Sequence, residues 1–339
     1  MFAARYLGPD RLETLELATP SISDEEALIK VEACGFCGSD LGIVAGVHPR
    51  AREPLTLGHE FSGTIAEIRT SSSEFNVGDR VTVFPLISCG HCFACRSGQS
   101  HVCRTLKLYG FDVDGAMAQF VRVAVSSLLK LPHPLPPFVG AVVEPLAVAV
   151  HGVSMAPEQD VKTVVVLGAG PIGLLTALVA SSEGDAKVLI SDVLPSRLDL
   201  ARRLGLTAFA AGEELKSAVH DLTGDEGVDL VYECAGAPSS AVAMTALLRS
   251  RGTVINLGVF KKPVSVDMQA INFKELTVRG SRVYARRDFD RAIELAGTLP
   301  IRQVVTHTFP LMEVQAAFDC FRKGNGVCKV LILPNGSPA

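Results

Sequence analysis

The chain has 339 residues, of which 48% are hydrophobic and 20% are charged, and its formal net charge is -4. This length predicts two domains, and no apolar run reaches the roughly 18 residues that a membrane span needs. The small negative charge gives no broad attraction for nucleic acid, and the N-terminal residues do not form a secretory signal. We therefore expect a protein that neither spans a membrane nor is exported.

Residues 1–150 contain short alternating apolar runs, such as 27–31 and 80–83, which glycine, proline and serine interrupt. This pattern predicts short strands and turns. The proline-rich stretch 131–137 can continue neither a helix nor a central strand. We expect it to connect this region to the next one.

Four cysteines follow one another in the spacing C-x2-C-x2-C-x7-C: Cys89, Cys92, Cys95 and Cys103. Thiolates this close can surround one zinc ion tetrahedrally, and four of them leave no position open for water or substrate. The spacing therefore predicts a structural zinc in a lobe of about residues 86–106. Nine cysteines in all, an odd number, suit metal binding in a reducing compartment better than disulfides, which favours the cytoplasm.

From about residue 161 the chain alternates strand-like and helix-like segments. In order they are 164–167, 172–181, 188–190 and 198–204, and further strand-like runs follow at 228–231 and 253–257. Such alternation predicts a parallel sheet of about six strands, covered by helices.

A glycine pattern, Gly168-x-Gly170-x-x-Gly173, follows the first of these strands and begins the next helix. In this context the glycines make a tight turn, admit a pyrophosphate and let the helix pack on the strand. Asp192 ends the next apolar run, where a carboxylate can bind ribose hydroxyls and repel the 2′-phosphate of NADP. The pattern predicts a dinucleotide site that prefers NAD, although Arg197 could instead reach a phosphate.

Cys37, the pair His59-Glu60 and Glu144 supply a thiolate, an imidazole and two carboxylates, all of which suit zinc. With the four-cysteine lobe and the glycine pattern, in this order, the chain resembles the zinc-dependent medium-chain dehydrogenases, especially the branch of polyol (sorbitol-like) and threonine dehydrogenases. The resemblance implies an α/β protein with a GroES-like, β-rich catalytic domain and a Rossmann domain with a doubly wound parallel sheet. It implies the domain ranges 1–150 for the catalytic domain, 151–285 for the NAD-binding domain, and 286–339 for a segment that returns to the catalytic domain.

The resemblance also implies site residues. Cys37, His59 and Glu60 would bind a catalytic zinc, with Glu144 as a fourth group that binds directly or through water, and Ser39 would take the alcohol proton. Each chain would then hold two zinc ions, one catalytic and one structural. Beyond the glycines and Asp192, the implied cofactor contacts are Ile172, Arg197, Leu257, Gly258, Val259, Ser281, Arg282 and Val283.

The implied reaction is hydride transfer between a secondary alcohol of a polyol or sugar and NAD, in a homodimer or homotetramer that binds no nucleic acid. Two positions depart from the family pattern. Gly42 stands where many relatives have the histidine at the outer end of a proton relay, so the proton would leave through water, cofactor hydroxyls or another base such as His48. Val283 stands where polyol dehydrogenases have an arginine, and if the segment is a strand, Arg282 points elsewhere.

Several alternatives remain open. Threonine, diols, aldoses and phosphorylated polyols are possible substrates within the same family. A zinc-knuckle protein that binds nucleic acid is a different class, since Arg96, His101, Arg104 and Lys107 lie in or beside the four-cysteine lobe. Basic residues there are not interleaved with aromatic ones, which counts against it. A protein that binds NAD without turnover is a third class, against which the intact metal-ligand candidates argue.

Overall fold

The structure is a computed structural model that describes residues 1–157 and 161–336. Contacts divide the chain into two units, Met1–Glu144 together with Ala285–Ala339, and Pro145–Tyr284. The sequence prediction placed the first boundary at residue 150, which lies inside a helix that runs from Pro137 to Ser154.

The elements before the second unit are, in chain order, β1 (Phe2–Tyr6), β2 (Leu12–Glu16), β3 (Glu26–Gly35), α1 (Gly38–Val44), β4 (Leu55–Thr56), β5 (Glu60–Arg69), β6 (Arg80–Val83), β7 (Leu86–Ile87), α2 (Phe93–Arg96), β8 (Lys107–Leu108), β9 (Phe120–Ala124) and β10 (Leu128–Lys130). The next helix, α3 (Pro137–Ser154), begins in the first unit and ends in the second. The second unit contains β11 (Thr163–Leu167), α4 (Pro171–Ser182), β12 (Lys187–Asp192), α5 (Pro195–Arg203), β13 (Thr207–Ala210), α6 (Glu213–Thr223), β14 (Val228–Glu233), α7 (Pro238–Ala246), β15 (Leu248–Asn256), α8 (Met268–Phe273) and β16 (Thr277–Gly280). The chain then returns to the first unit with α9 (Arg286–Ala296), β17 (Val305–Pro310), α10 (Val314–Lys323) and β18 (Lys329–Leu333).

The first unit is built around β3, which lies in the middle of a seven-stranded sheet in the order β10-β6-β5-β3-β18-β17, with β9 also paired to β3. The residues of β3 alternate in direction, and one face is fully buried through Ala27, Ile29, Val31 and Ala33, whereas Lys30 on the other face is exposed. Strands β5 and β18 flank β3, so that Glu60 and Leu331 both pair with Gly35. Strands β5 and β18, which are far apart in the sequence, therefore both pair with the end of β3.

The second unit holds a six-stranded sheet in the order β13-β12-β11-β14-β15-β16, in which all neighbours are parallel. Valines and isoleucines at the centre, such as Val165 and Val231, are fully buried, as a parallel sheet between helix layers requires. The order reverses between β11 and β14, and ligands bind at such a switch point. The predicted doubly wound parallel sheet is confirmed.

One described helix, α3, is long and apolar enough to resemble a membrane span, and 72% of it is buried inside the protein. A core helix of a soluble protein has the same composition. Its sequence includes Glu144 and Pro145 near the middle. We therefore read α3 as a core helix.

Candidate metal and nucleotide sites

Three of the predicted zinc ligands come together in the first unit. Cys37 is the residue before α1, His59 precedes β5, and Glu60 is the first residue of β5. Their ligand atoms, a sulfur, a ring nitrogen and a carboxylate oxygen, all lie within 4.8 Å of one another. His59 and Glu60 are buried and Cys37 is partly buried. This donor set fits zinc, and Nδ1 of His59 has no hydrogen-bond partner among the described residues.

The electrostatic surroundings of His59 favour a cation. Burial lowers its pKa, but a hydrogen bond to Cys37 and the negative charges of Cys37, Glu144 and Asp40 outweigh that effect and raise the pKa to about 10. Asp40 lies in α1, and its Oδ2 accepts a hydrogen bond from the backbone N–H of Cys37 at 2.8 Å. A site that holds a proton this firmly is one where a metal ion can replace the proton.

Two further predicted residues lie in the same unit but outside this group of three. Glu144 is buried within α3, and it lies near enough to His59 for its charge to act there, yet it is not part of the group within 4.8 Å. Ser39 is in the first turn of α1, and its buried Oγ has no hydrogen-bond partner in residues 1–157 and 161–336. Both are thus buried polar groups: Ser39 lies two residues from Cys37 in the sequence, and the charge of Glu144 acts on His59.

The sequence analysis missed Lys329, the first residue of β18. Its ammonium donates hydrogen bonds to both oxygens of Glu60, at 2.8 Å to Oε1 and 2.7 Å to Oε2, and to the backbone oxygen of Phe36 at 2.9 Å. Lysine is almost never fully buried without a partner. The lysine at the start of the apolar run 330–333 was the available signal, but its partner could not be read from it.

The four cysteines of the predicted lobe also come together. Sulfur atoms of Cys92 and Cys95 lie 3.5 Å apart, those of Cys89 and Cys95 lie 3.9 Å apart, and those of Cys92 and Cys103 lie 3.8 Å apart. Sulfurs bound tetrahedrally to one zinc at about 2.3 Å would lie roughly 3.8 Å from one another. All four ligand atoms form one group within 4.8 Å, so the lobe fits a structural zinc.

In the second unit, the glycine pattern lies in the turn from β11 to α4. Gly168 has a φ of +99°, a left-handed conformation that glycine adopts without strain. A Cβ at Gly173 would overlap the backbone oxygen of Gly168, so the helix can approach the strand only with glycine there. Pro171 begins α4 and Ile172 follows it, and the free N–H groups of this helix end suit a phosphate.

Asp192, the last residue of β12, lies beside the glycine turn. Its Oδ2 accepts a hydrogen bond from the N–H of Ala169 at 2.8 Å, and its Oδ1 accepts one from the N–H of Leu194 at 2.9 Å. Arg197, in α5, reaches Oδ2 at 3.3 Å. The arginine that could have met a phosphate is therefore paired with the aspartate.

The remaining predicted cofactor residues follow the carboxyl ends of two neighbouring strands. Leu257, Gly258 and Val259 follow β15, and Val259 is largely exposed. Ser281, Arg282 and Val283 follow β16, which ends at Gly280. The condition that this segment continues as a strand is not met, because β16 ends at Gly280 and Val283 has a left-handed φ of +42°.

Glu233, at the end of β14, is a second residue that the sequence analysis missed. Its Oε1 accepts hydrogen bonds from the N–H groups of Ala235 and Gly236, at 3.0 and 2.9 Å, and from the hydroxyl of Ser240 at 2.6 Å. Its backbone oxygen accepts two more, from the N–H groups of Leu257 and Gly258, each at 2.8 Å. Glu233 thus holds the turns after β14 and β15 together.

Comparison with known proteins places these features in one context. Residues 23–133 match the family model described as alcohol dehydrogenase GroES-like domain, and residues 171–298 match the one described as zinc-binding dehydrogenase. The chain is 36% identical over 322 residues to 2-dehydro-3-deoxy-L-galactonate 5-dehydrogenase of Pseudoalteromonas atlantica, with 94% of each chain covered. It is also 36% identical to L-threonine 3-dehydrogenase of Bacillus licheniformis, with 93% of each covered.

A solved structure is similar over almost the whole length. A zinc-binding dehydrogenase from Sinorhizobium meliloti 1021, bound to NADP, matches with a TM-score of 0.90 and 33% identity, covering 98% of this chain and 99% of that one. The predicted combination of a GroES-like domain with a Rossmann domain is confirmed by these matches.

Proposed function

Because the chain belongs to the zinc-dependent medium-chain dehydrogenases, we propose that it oxidises a secondary alcohol of a polyol or sugar with NAD at a zinc ion held by Cys37, His59 and Glu60. The observation that carries this proposal is the group of three ligand atoms within 4.8 Å of one another. Four ligands of structural type would leave no room for substrate, whereas three protein ligands leave a position open.

The chemistry follows from the donor set. Zinc, when bound, lowers the pKa of an alcohol that reaches it, as it does for water. Cys37, His59 and Glu60 would hold the ion, and the carboxylate of Glu144 offers a fourth ligand that can bind directly or through a water. Ser39, whose Oγ is buried without a partner among the described residues, accepts the alcohol proton. Burial of His59 and Glu60 keeps bulk water from the reacting alcohol.

Proton exit cannot use the histidine that many relatives have, because Gly42 occupies that position. His48 is the nearby alternative on the same loop, but its Nδ1 already accepts a hydrogen bond from the N–H of Ala51 at 3.0 Å. Burial and the charge of Arg50 lower the pKa of His48. The ring of Phe111 lies 4.9 Å from the rings of both His48 and His59, so an apolar group stands between them. We therefore route the proton through water and cofactor hydroxyls.

For the cofactor, the hydride acceptor NAD fits the second unit through the glycine turn and Asp192. The acidic group disfavours the 2′-phosphate of NADP, and its ion pair with Arg197 weakens that effect. The relative from Sinorhizobium meliloti binds NADP, so both cofactors belong in any assay. Ile172, at the start of α4, and the turns at 257–259 and 281–283 complete the set of cofactor contacts that we propose.

The substrate class rests on the relatives. The Pseudoalteromonas relative is named for oxidation at carbon 5 of a deoxy sugar acid, which is a secondary alcohol among neighbouring hydroxyls. L-threonine is the second candidate, because a relative of equal identity is named for it.

We further propose residues 1–150 and 286–339 as the catalytic part, 151–285 as the NAD-binding part, a cytoplasmic location and a homodimer or homotetramer.

The test combines metal analysis with a substrate screen. We expect two zinc ions per purified chain, and growth of NADH absorbance with at least one member of a panel of polyols, diols, sugars, phosphorylated polyols and threonine, each tried with NAD and NADP. The variant Cys37→Ser should keep one zinc ion and lose turnover. The control variant Cys320→Ser changes a partly buried free cysteine in α10 and should keep both zinc ions and its turnover. One zinc in the wild-type chain, or full activity in Cys37→Ser, would contradict the proposal.

A further inference from the structure

Lys329 and Glu60 form a buried ion pair at the candidate metal site. Side-chain exposure is 3% for the lysine and 2% for the glutamate. The ammonium has three hydrogens and three acceptors, namely the two oxygens of Glu60 and the backbone oxygen of Phe36, so every donor of the lysine is used. Such a charge is held in one place.

The pair exists because of the register of three strands. Gly35, at the end of β3, pairs with Glu60 of β5 on one side and with Leu331 of β18 on the other. A Cβ on Gly35 would overlap Oε2 of Glu60 and lie 3.3 Å from the side chain of Leu331. Glycine on the middle strand therefore lets side chains of the two outer strands meet across it.

Negative groups surround the ammonium. Both oxygens of Glu60 accept hydrogen bonds from the ammonium, and the negative charges of Cys37 and Glu144 also act on it. A cation at this point interacts with the same acidic groups that would hold a zinc ion. It also repels that ion, and it occupies oxygen lone pairs on Glu60 that the ion would otherwise take.

We propose that Lys329 is a positioning residue that competes with the metal ion for the carboxylate of Glu60 and so keeps the ion from being held too tightly. The inference rests on the proposed zinc site. An ion that Glu60 holds loosely can exchange that ligand for substrate or water. A purely structural role for Lys329 makes the opposite prediction, because a site that loses a structural support should lose zinc more easily.

The experiment measures how fast zinc leaves the full-length protein in excess chelator. Lys329→Met and Lys329→Gln remove the charge, whereas Lys329→Arg keeps it. We expect zinc to leave the candidate site about tenfold more slowly from either neutral variant than from wild type, and at near wild-type rate from Lys329→Arg. The four-cysteine zinc should be unaffected, which serves as an internal check that the chain is folded.

Two further measurements sharpen the test. The double variant Glu60→Gln with Lys329→Met should not show the slowed zinc loss of the single neutral variants, because no carboxylate remains for the ion to bind more tightly. Cobalt in place of zinc should show an altered visible absorption spectrum in the neutral variants and an unaltered one in Lys329→Arg. Equal or faster zinc loss from Lys329→Met and Lys329→Gln, or slow loss that persists in the double variant, would overturn the inference. A wild-type chain with one zinc would overturn the proposed function and this inference with it.

Discussion

Asp192 is hydrogen-bonded to the glycine turn itself, since its Oδ2 accepts the backbone N–H of Ala169 at 2.8 Å. In the proposed dinucleotide site this carboxylate would have two tasks at once, to fix the glycine turn and to offer an oxygen to the ribose. A carboxylate has about four acceptor positions. Ala169, Leu194 and Arg197 use three of them, which leaves Oδ1 able to accept one ribose hydroxyl.

We expect Asp192→Ala to weaken NADH binding about 10- to 100-fold, because a hydrogen bond to a charged group contributes roughly 1.5–3 kcal/mol. NADPH should be weakened less, since the carboxylate no longer opposes its 2′-phosphate. Fluorescence titration with each cofactor measures both dissociation constants. Equal losses for the two cofactors would argue that Asp192 only supports the turn.

The second prediction concerns the four-cysteine lobe. Cys95→Ser should remove one of two zinc ions and open the lobe, whose strands β7 and β8 have two residues each. Trypsin should then cut after Arg96 or Arg104 roughly tenfold faster or more, because local opening exposes the backbone. Cys37→Ser should also lose one zinc but leave these sites protected. A lobe that resists trypsin without its zinc would show that the ion is not needed there.

Asp229 is one source of pH-dependent stability in the second unit. It accepts hydrogen bonds from the N–H groups of Lys162 and Thr163 and from Arg249, at 2.9, 2.8 and 2.6 Å. Burial opposes ionisation, but these donors outweigh it, so the pKa of Asp229 is lowered. A lowered pKa stabilises the fold above the unfolded value of about 3.9, and that contribution is lost as the pH falls through the folded value.

Accordingly, Asp229→Asn should destabilise the protein by about 1–3 kcal/mol at pH 7, and the difference from wild type should shrink below about pH 4. Thermal unfolding of both proteins across this range tests the sign. Asp185→Asn is the matched control, since Asp185 is exposed. A difference that stays constant down to pH 3 would mean that the charge of Asp229 is not what stabilises the unit.

The fourth prediction tests the crowding around Glu233. A Cβ on Gly258 would overlap Oε2 of Glu233 and lie 2.6 Å from the backbone nitrogen of Gly236. Gly258→Ala should therefore displace the two turns and raise the KM for NAD. It should also lower the free energy of unfolding by about 1–3 kcal/mol. Gly184→Ala meets nothing within 4 Å and should change neither KM nor stability. A normal KM in Gly258→Ala would show that the turn after β15 does not contact the cofactor.

The fifth prediction follows from the missing relay histidine. Gly42→His has space, because a Cβ there would meet only Val47, at 3.9 Å. A base at this position should raise kcat/KM below neutral pH by up to about tenfold and change the solvent isotope effect. His48→Gln should leave both unchanged, since Phe111 separates His48 from His59. An unchanged profile in Gly42→His would remove the support for proton exit through water.

Short motifs made much of the site predictable. The four cysteines and the glycine turn each occupy one stretch of sequence, so their chemistry could be read locally, whereas Cys37 and the adjacent pair His59-Glu60 were assigned to one metal site only through the family resemblance. Lys329 could not be found this way, because its partner Glu60 lies 269 positions earlier and only the strand register joins them. Glu233 was hidden for a different reason: as the last residue of an apolar strand it looked like the polar end of that strand.

Strand boundaries were less predictable than strand centres. The run 253–257 was read as a strand, whereas β15 spans Leu248–Asn256. Its first residues do not alternate in the expected pattern, and the register with β14 shifts between Leu248 and Thr253. The segment after Gly280 was compared with a strand, yet its left-handed residue Val283 cannot be recognised from a valine, which normally avoids that conformation.

The position of β18 has a consequence for synthesis. Because this strand completes the sheet beside β3 and carries the ammonium opposite Glu60, a nascent chain on the ribosome can have every proposed zinc ligand outside the exit tunnel and still lack the residue that restrains the ion. Metal captured at that stage would meet an unopposed carboxylate. Lys329 would then have to displace part of an existing coordination shell when it arrives, which makes the order of metallation and strand docking a variable of its own.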